Sequence, residues 1–383
     1  MAIYLDYNST TPIDPRVLDR MIDVYKNHPG NADSRTHDFG EDARKIVEQA
    51  RGEVATLLGV KSDEIFFTSG ATESNNLAIL GLREYAESTG KKHIITTSIE
   101  HHSVLNVLKF MEEQGFDITY VDPDQSGRVN AKKVLSYVRG DTLLVSVMHV
   151  NNETGIIQPV EEIGEALNRI GVLFHVDATQ SCGKLVEEIR NLKYDMLSLS
   201  AHKFRGPQGI GALVLRRKNY KLPPVKPIMF GGQQEHNIRP GTTPVALVAG
   251  MGLACKYATD EYKQIRESNI IIKNEILKIL DDSKLHYEIN GDLNFCIENT
   301  INIYIDGVVS EALMLSTKQY CALSNGSACT SKSYSPSYVL KAMRIPINKI
   351  ENSVRISWGD AISLSNISPN FKQIIATAKM LAV

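Results

Sequence analysis

The sequence predicts an α/β fold, a largely parallel sheet with helices on both faces, joined to a smaller α+β unit. Three observations carry this expectation. Between Asp63 and Leu215 short apolar runs alternate with helical patterns, as strands and crossover helices alternate in a parallel sheet. Beyond about Gly250 the pattern changes to one long helical stretch followed by alternating strands. The 383 residues also exceed one small core, and chains of this length commonly form a large domain with a smaller one attached.

The elements follow in order. "EIFFTSGA" reads as a strand entering a Gly turn, and "TESNNLAILGLREYA" as the helix after it. "HIITTS" is a second strand. In "SVLNVLKFM" the residues Val104, Val107, Leu108 and Met111 fall at i, i+3, i+4 and i+7, one face of a helix. "TLLVSVMHV", "VLFHVDA" and "DMLSLSA" add three strands, and "GPQGIG" turns the chain into another. In the C-terminal part "IRESNIIIKNEILKILDD" is helical. Ile301, Ile303 and Ile305 of "TINIYI" share one strand face, as do Val354, Ile356 and Trp358 of "SVRISW".

Composition narrows the function. Apolar residues make up 43% and charged residues 22%, ordinary for a soluble globular enzyme and with no excess for a membrane span. A formal charge of -2 lacks the basic footprint of a nucleic-acid binder. The opening "MAIYLDYNSTTPIDPRV" is acidic early and has no apolar signal-peptide core, so a cytoplasmic location is expected. Five cysteines, an odd number without a C-x-x-C pair, argue against a disulfide framework and a zinc site.

In an open α/β sheet, ligands collect beyond the carboxyl ends of the strands, so the residues there are read together. "TSGATES" combines a Gly turn with the start of a helix, a plain connection or an anion site at Ala71 and Thr72. "IEHHSV" puts His101 and His102 at the same rim, "NNETG" adds two amides, and "HVDATQ" ends a strand on Asp177 with Gln180 following. "SLSAHKFRGPQGIG" ends one on Ser200, His202 and Lys203. Taken singly, each has a bland reading as a turn, a cap or a solvated charge. Together, an amine able to form a Schiff base, an aspartate for a ring nitrogen and a phosphate cradle are what pyridoxal phosphate requires.

At this point the chain resembles the cysteine desulfurases of the NifS and IscS type. The resemblance rests on "YLDYNSTTP", "TSGATESNN", "EHHSVLN", "HVNNETG", "HVDATQ", "SLSAHKFRGPQGIG", "IRPGTTP", "SNGSACTS" and "SVRISWG", in this order along nearly the whole chain. It implies a class-V, fold-type I pyridoxal 5'-phosphate enzyme and homodimer with a mostly parallel seven-stranded sheet. Residues 15–256 would form the large domain, and 1–14 with 257–383 the small one. It further implies that Lys203 holds the cofactor, Asp177 pairs its ring nitrogen, Gln180 meets its ring hydroxyl and His101 stacks on it and handles the substrate thiol proton. Ala71, Thr72, Ser200 and His202 would hold the phosphate, and Thr242 that of the second subunit. Asn152 and Arg355 would bind the carboxylate of L-cysteine, with Asn31 nearby, Arg for its planar fork.

The expected reaction converts L-cysteine to L-alanine and leaves a persulfide on Cys329 for a sulfur-acceptor protein. Cys329 lies among small polar residues, as a travelling nucleophile requires, whereas Cys182 follows the cofactor motif as a structural residue near the site, Cys255 sits in an apolar helical pattern, and Cys296 and Cys321 flank strand-like runs. Candidate destinations are iron-sulfur cluster assembly, transfer RNA thiolation and DNA phosphorothioation, and neither nucleic acid nor membrane is an expected direct partner. A selenocysteine lyase or another class-V aminotransferase is the alternative enzyme, although an aminotransferase has no need of Cys329. A sulfur relay without cofactor chemistry is the non-enzymatic reading, against which "AHK" stands. Asn325, Lys332, Tyr334 and "YNSTTP" depart from the family pattern, which bears on acceptor choice.

Overall fold

The computed structural model describes residues 2–326 and 336–382. The N-terminal half runs β1 (Ile3–Tyr4), α1 (Pro15–Asn27), α2 (Asp38–Leu58), β2 (Ile65–Thr68), α3 (Ala71–Leu80), α4 (Arg83–Thr89), β3 (His93–Thr97), α5 (His102–Glu113), β4 (Asp117–Val121) and α6 (Ala131–Ser136). The alternation continues with β5 (Thr142–Met148), α7 (Val160–Ile170), β6 (Leu173–Asp177), α8 (Val186–Asn191), β7 (Met196–Ser200) and β8 (Gly211–Leu215). Then come α9 (Val245–Ser283), β9 (Tyr287–Ile289), β10 (Thr300–Ile305), α10 (Ser310–Thr317), β11 (Cys321–Ala322), α11 (Tyr338–Ala342), α12 (Ile347–Glu351), β12 (Ser353–Ser357) and α13 (Leu364–Leu381).

β2 to β8 form a seven-stranded sheet in the order β2-β8-β7-β6-β5-β3-β4. Its strands are parallel except β8, which is antiparallel to both β2 and β7. Neighbouring residues on one strand feed opposite cores. Phe67, Ile95 and Val145 enter the core under α2 and α9, while Phe66, Ile94 and Leu144 enter the one under α3 and α5. That two-sided burial is why the strands read as apolar runs rather than as alternation.

Two features depart from the sequence pattern. The helical run after Gly70 is two helices, α3 and α4, because a loop crosses there and Lys226 N donates to Gly81 O at 2.8 Å. β4 carries no apolar run because it is a sheet edge, with Asp117 and Tyr120 exposed.

The C-terminal residues form an antiparallel sheet, β12-β10-β9, covered by α13 and the second half of α9. Ile301, Ile303, Ile305, Val354, Ile356 and Trp358 all enter this second core, with Ile3, Leu5 and Tyr7 from the N-terminus. The 39-residue α9 joins the two cores: residues up to Ala258 belong to the first, and those from Ile272 to the second. Among the described residues no helix is long and apolar enough to cross a membrane.

Candidate active site

A cavity of about 420 Å³ opens at the carboxyl ends of β2, β6 and β7, where the N-terminal segment at Asn8 and Ser9 and β12 close over it. It gathers Ala71, Thr72, His101, Asn152, Asp177, Gln180, Ser200, His202, Lys203 and Arg355.

At one end lies the start of α3. Its first N–H groups have no partner within the helix, which makes the terminus electropositive. Gly70 precedes it at φ 152°, a conformation that glycine adopts freely, beside the Ser200 hydroxyl at the end of β7. His202 shares a 3.1 Å hydrogen bond with Thr10, and burial with the adjacent Lys203 charge lowers it to about 4, so it is neutral at pH 7. Hydroxyls, helix amides and a neutral imidazole are a donor set suited to a phosphate.

Asp177 ends β6 and is buried. Its Oδ1 accepts from Thr179 N at 2.9 Å and its Oδ2 from Asn75 Nδ2 at 2.8 Å. No cation among the described residues lies within ion-pair distance of it, so a ring N–H with positive charge would answer a buried carboxylate.

Asn75 Nδ2 also donates to Ser103 Oγ at 2.8 Å. The Ser103 hydroxyl pairs with His101 Nδ1 at 2.8 Å, and that nitrogen also accepts from Ser103 N at 3.1 Å. Because Nδ1 accepts, the neutral ring carries its proton on Nε2. Burial holds His101 below the ordinary histidine range. A hydrogen-bonded chain from Asp177 therefore sets the tautomer of His101.

Lys203 lies on the short turn Ala201–Lys203, and its Nζ donates to Asn8 O at 2.7 Å and to Ser9 O at 2.6 Å. Gln180 Nε2 donates to the same Asn8 carbonyl at 2.8 Å, and its Oε1 accepts from Lys184 Nζ at 3.3 Å. Burial, with the charges of Lys203 and Arg355, lowers Lys184 to about 7.

Opposite, Arg355 is 3% exposed. Its Nη1 donates to Asn152 O at 2.9 Å and its Nη2 to Asp6 Oδ1 at 2.5 Å. Its Nε and the side-chain oxygen of Asn152 are buried without a hydrogen-bond partner.

Three expected residues stand apart. Asn31 is on the exposed loop after α1, where its Oδ1 accepts from Asp33 N at 3.0 Å, and it does not line the cavity. Thr242 is exposed just before α9 and does not line it either. Cys329, with its polar neighbours, lies outside the described residues. The other cysteines are buried or half-buried thiols: burial raises Cys182 to about 12 and Cys296 and Cys321 to about 11, and pushes Cys255 up as well. Such thiols carry little thiolate at neutral pH.

Sequence reasoning missed Asp6, Asn8, Ser9, Asn75, Ser103 and Lys184. Asp6, Asn8 and Ser9 belong to "YLDYNSTTP" and Asn75 to "TSGATESNN", so the motifs held them without a role.

Residues 3–368 match the family model of class-V aminotransferases. The cysteine desulfurase IscS of Anaeromyxobacter dehalogenans is 42% identical over 361 residues, 94% of this chain and 88% of that one. Among solved structures, a NifS-like protein superposes with a TM-score of 0.91 at 33% identity, covering 99% of this chain and 100% of its own. SspA in complex with cysteine gives 0.82 at 36%, covering 93% and 98%.

Proposed function

The chain belongs to the class-V aminotransferase family, and we propose from that premise that it is a cysteine desulfurase that converts L-cysteine to L-alanine and leaves a persulfide on Cys329. The observation that carries the reading is the single cavity joining an amine, a buried carboxylate with no cation among the described residues in ion-pair range, a helix terminus and an arginine. That SspA was solved with cysteine supports the substrate.

The cavity's donors fit pyridoxal 5'-phosphate. Lys203 would hold it covalently, Asp177 would face its ring nitrogen, Gln180 its hydroxyl, and Ala71, Thr72, Ser200 and His202 its phosphate. Bound there, the cofactor supplies an electron sink beside the substrate Cα.

The chain's own groups then divide the work. Arg355 and Asn152 grip the substrate carboxylate, which gives the buried, unpartnered Arg355 Nε an acceptor, while Asn152 donates through its Nδ2. Lys203 Nζ takes the proton from Cα, and the Asn8 and Ser9 carbonyls that accept from it hold the amine in the cavity when it is not bonded to the cofactor. His101, with its proton on Nε2, handles the proton of the substrate thiol. The Cys329 thiolate attacks the substrate sulfur, so an S–S bond forms as the Cβ–S bond breaks. The protons released from the thiol and Cα return to the carbon skeleton as it becomes alanine.

In a homodimer Thr242 would reach the second subunit's phosphate. Residues 15–256 would form its large domain, and 1–14 with 257–383 its small one. The sulfur passes to an acceptor protein, such as an iron-sulfur scaffold or a thiolation enzyme, in the cytoplasm. The test is Cys329→Ser. It is expected to abolish sulfur transfer from cysteine to an acceptor while the cofactor's absorbance still responds to cysteine, and transfer at the parent rate would end the persulfide reading.

A further inference from the structure

The "NNETG" turn presents consecutive side chains to two different places. Asn152 faces the cavity. Glu153 turns away from it and is 1% exposed. Its backbone is fixed on both sides, since Glu153 N donates to Asn151 Oδ1 at 2.9 Å and Asn302 Nδ2 donates to Glu153 O at 3.0 Å. Asn151 is itself anchored, its Nδ2 donating to Ile99 O at 3.0 Å.

The Glu153 carboxyl meets two residues far apart in sequence from it and close to each other. Oε2 accepts from the Ser337 hydroxyl, which also accepts from Leu340 N at 3.0 Å and so caps α11. On the other side Gly326, at φ 82°, lies so close that a Cβ built on it would stand 2.7 Å from Oε2 and 3.0 Å from Cδ. Only glycine suits that backbone and that approach together. Ser324, two residues earlier, is bonded to β12 at Arg355, whose N donates to Ser324 O at 2.6 Å. Gly326 and Ser337 bracket residues 327–335 and thus Cys329.

We propose that Glu153 is a positioning residue for sulfur transfer, joining both roots of the Cys329 stretch to the turn whose next residue, Asn152, binds the substrate. This rests on the desulfurase reading above. Glu153 touches neither substrate nor cofactor. Its effect is on where the attacking thiol starts, and a misplacement of about 1 Å can cost on the order of a hundredfold in rate. Burial pushes the carboxyl up to about 7, against the Ser337 hydrogen bond and the Arg355 charge. A glutamine, neutral and with an oxygen in the same place, therefore mimics the acid form closely.

The test uses the full-length holoenzyme and compares Glu153→Ala, Glu153→Gln and Ser337→Ala with the parent. Three quantities are followed: persulfide on Cys329 by mass spectrometry, the cysteine-induced change in cofactor absorbance, and the rate at which iodoacetamide alkylates Cys329. Glu153→Ala is expected to slow persulfide formation about tenfold or more, with the absorbance change keeping its cysteine dependence. Glu153→Gln should restore the rate to within about threefold, and Ser337→Ala should cost about threefold, one neutral hydrogen bond. Alkylation of Cys329 should change by at least about threefold in Glu153→Ala. A persulfide rate within about twofold of the parent, or an equal loss of the absorbance response, would overturn the proposal. A parent that forms no persulfide would instead sink the desulfurase reading, and unchanged alkylation in Glu153→Ala would then still count against the anchoring role.

Discussion

The two walls of the cavity differ in whether the groups assigned to touch a ligand are already hydrogen-bonded within the protein. On the wall built from α3 and the strand ends of the large sheet, both oxygens of Asp177, both ends of Gln180 and His101 Nδ1 already have partners. Thr179 Oγ1 and Asn75 Oδ1 are the exceptions. On the wall built from the "NNETG" turn and β12, Asn152 Oδ1 and Arg355 Nε are buried and unpartnered. An orphaned buried polar atom costs about 1–3 kcal/mol, which a ligand recovers when it supplies the missing bond. The first wall is thus preset for a resident group, and the second holds its capacity open for a molecule that comes and goes.

The largest test of this contrast is on the preset wall. Lys203→Ala should lower alanine production from cysteine on the order of a thousandfold or more, with far-ultraviolet circular dichroism unchanged. Turnover at the parent rate would remove Lys203 from the chemistry. On the open wall, Arg355→Ala should raise the KM for cysteine roughly ten- to a hundredfold, the worth of a charge-assisted hydrogen bond to a carboxylate. A change in kcat alone would mean that Arg355 is not holding substrate.

Asn75→Ala sharpens the comparison, because Asn75 touches Asp177 and Ser103 without a role in the reaction itself. It should cut kcat about tenfold by loosening the Ser103 hydroxyl on His101 and the Asp177 carboxylate, with KM little altered. A KM effect without a kcat effect would break the assignment.

The smallest effect concerns stability. Glu100 Oε1 accepts from Thr97 Oγ1 and Met148 N, its Oε2 is buried without a partner, and burial raises the carboxyl from 4.5 to about 8. A carboxyl whose folded value is raised lends stability that is complete below its unfolded value and lost as pH rises through the folded one. The melting temperature should therefore fall by several degrees between about pH 5 and about pH 8 and level off above, and Glu100→Gln should flatten that decline. An equally steep fall in the variant would assign it to other groups.

Much of the fold was legible because the buried strands announce themselves locally. "TLLVSVM" and "MLSLS" hold only apolar residues and small hydroxyls and are buried throughout, since both faces of β5 and β7 are covered. β4 was illegible for the opposite reason: at a sheet edge Asp117 and Tyr120 can face water, and no apolar pattern marks the strand. In the site, Asp177, Ser200 and Lys203 could be found because each lies at or just beyond the end of such a strand. Asn75 and Ser103 could not, since each sits in an ordinary helical turn and matters only through its neighbour.

By itself the sequence determined the alternation of strands and helices, the polar groups at their ends and a cysteine set among small polar residues. Those properties depend on residues a few positions apart. Only the tertiary structure decided that Asn8, 195 positions before Lys203, receives its amine. It alone also set Asp6 against Arg355 and Glu153 between Gly326 and Ser337. These contacts arise when the N-terminal segment and β12 close over the strand ends, and their partners are too distant along the chain to leave a pattern in it.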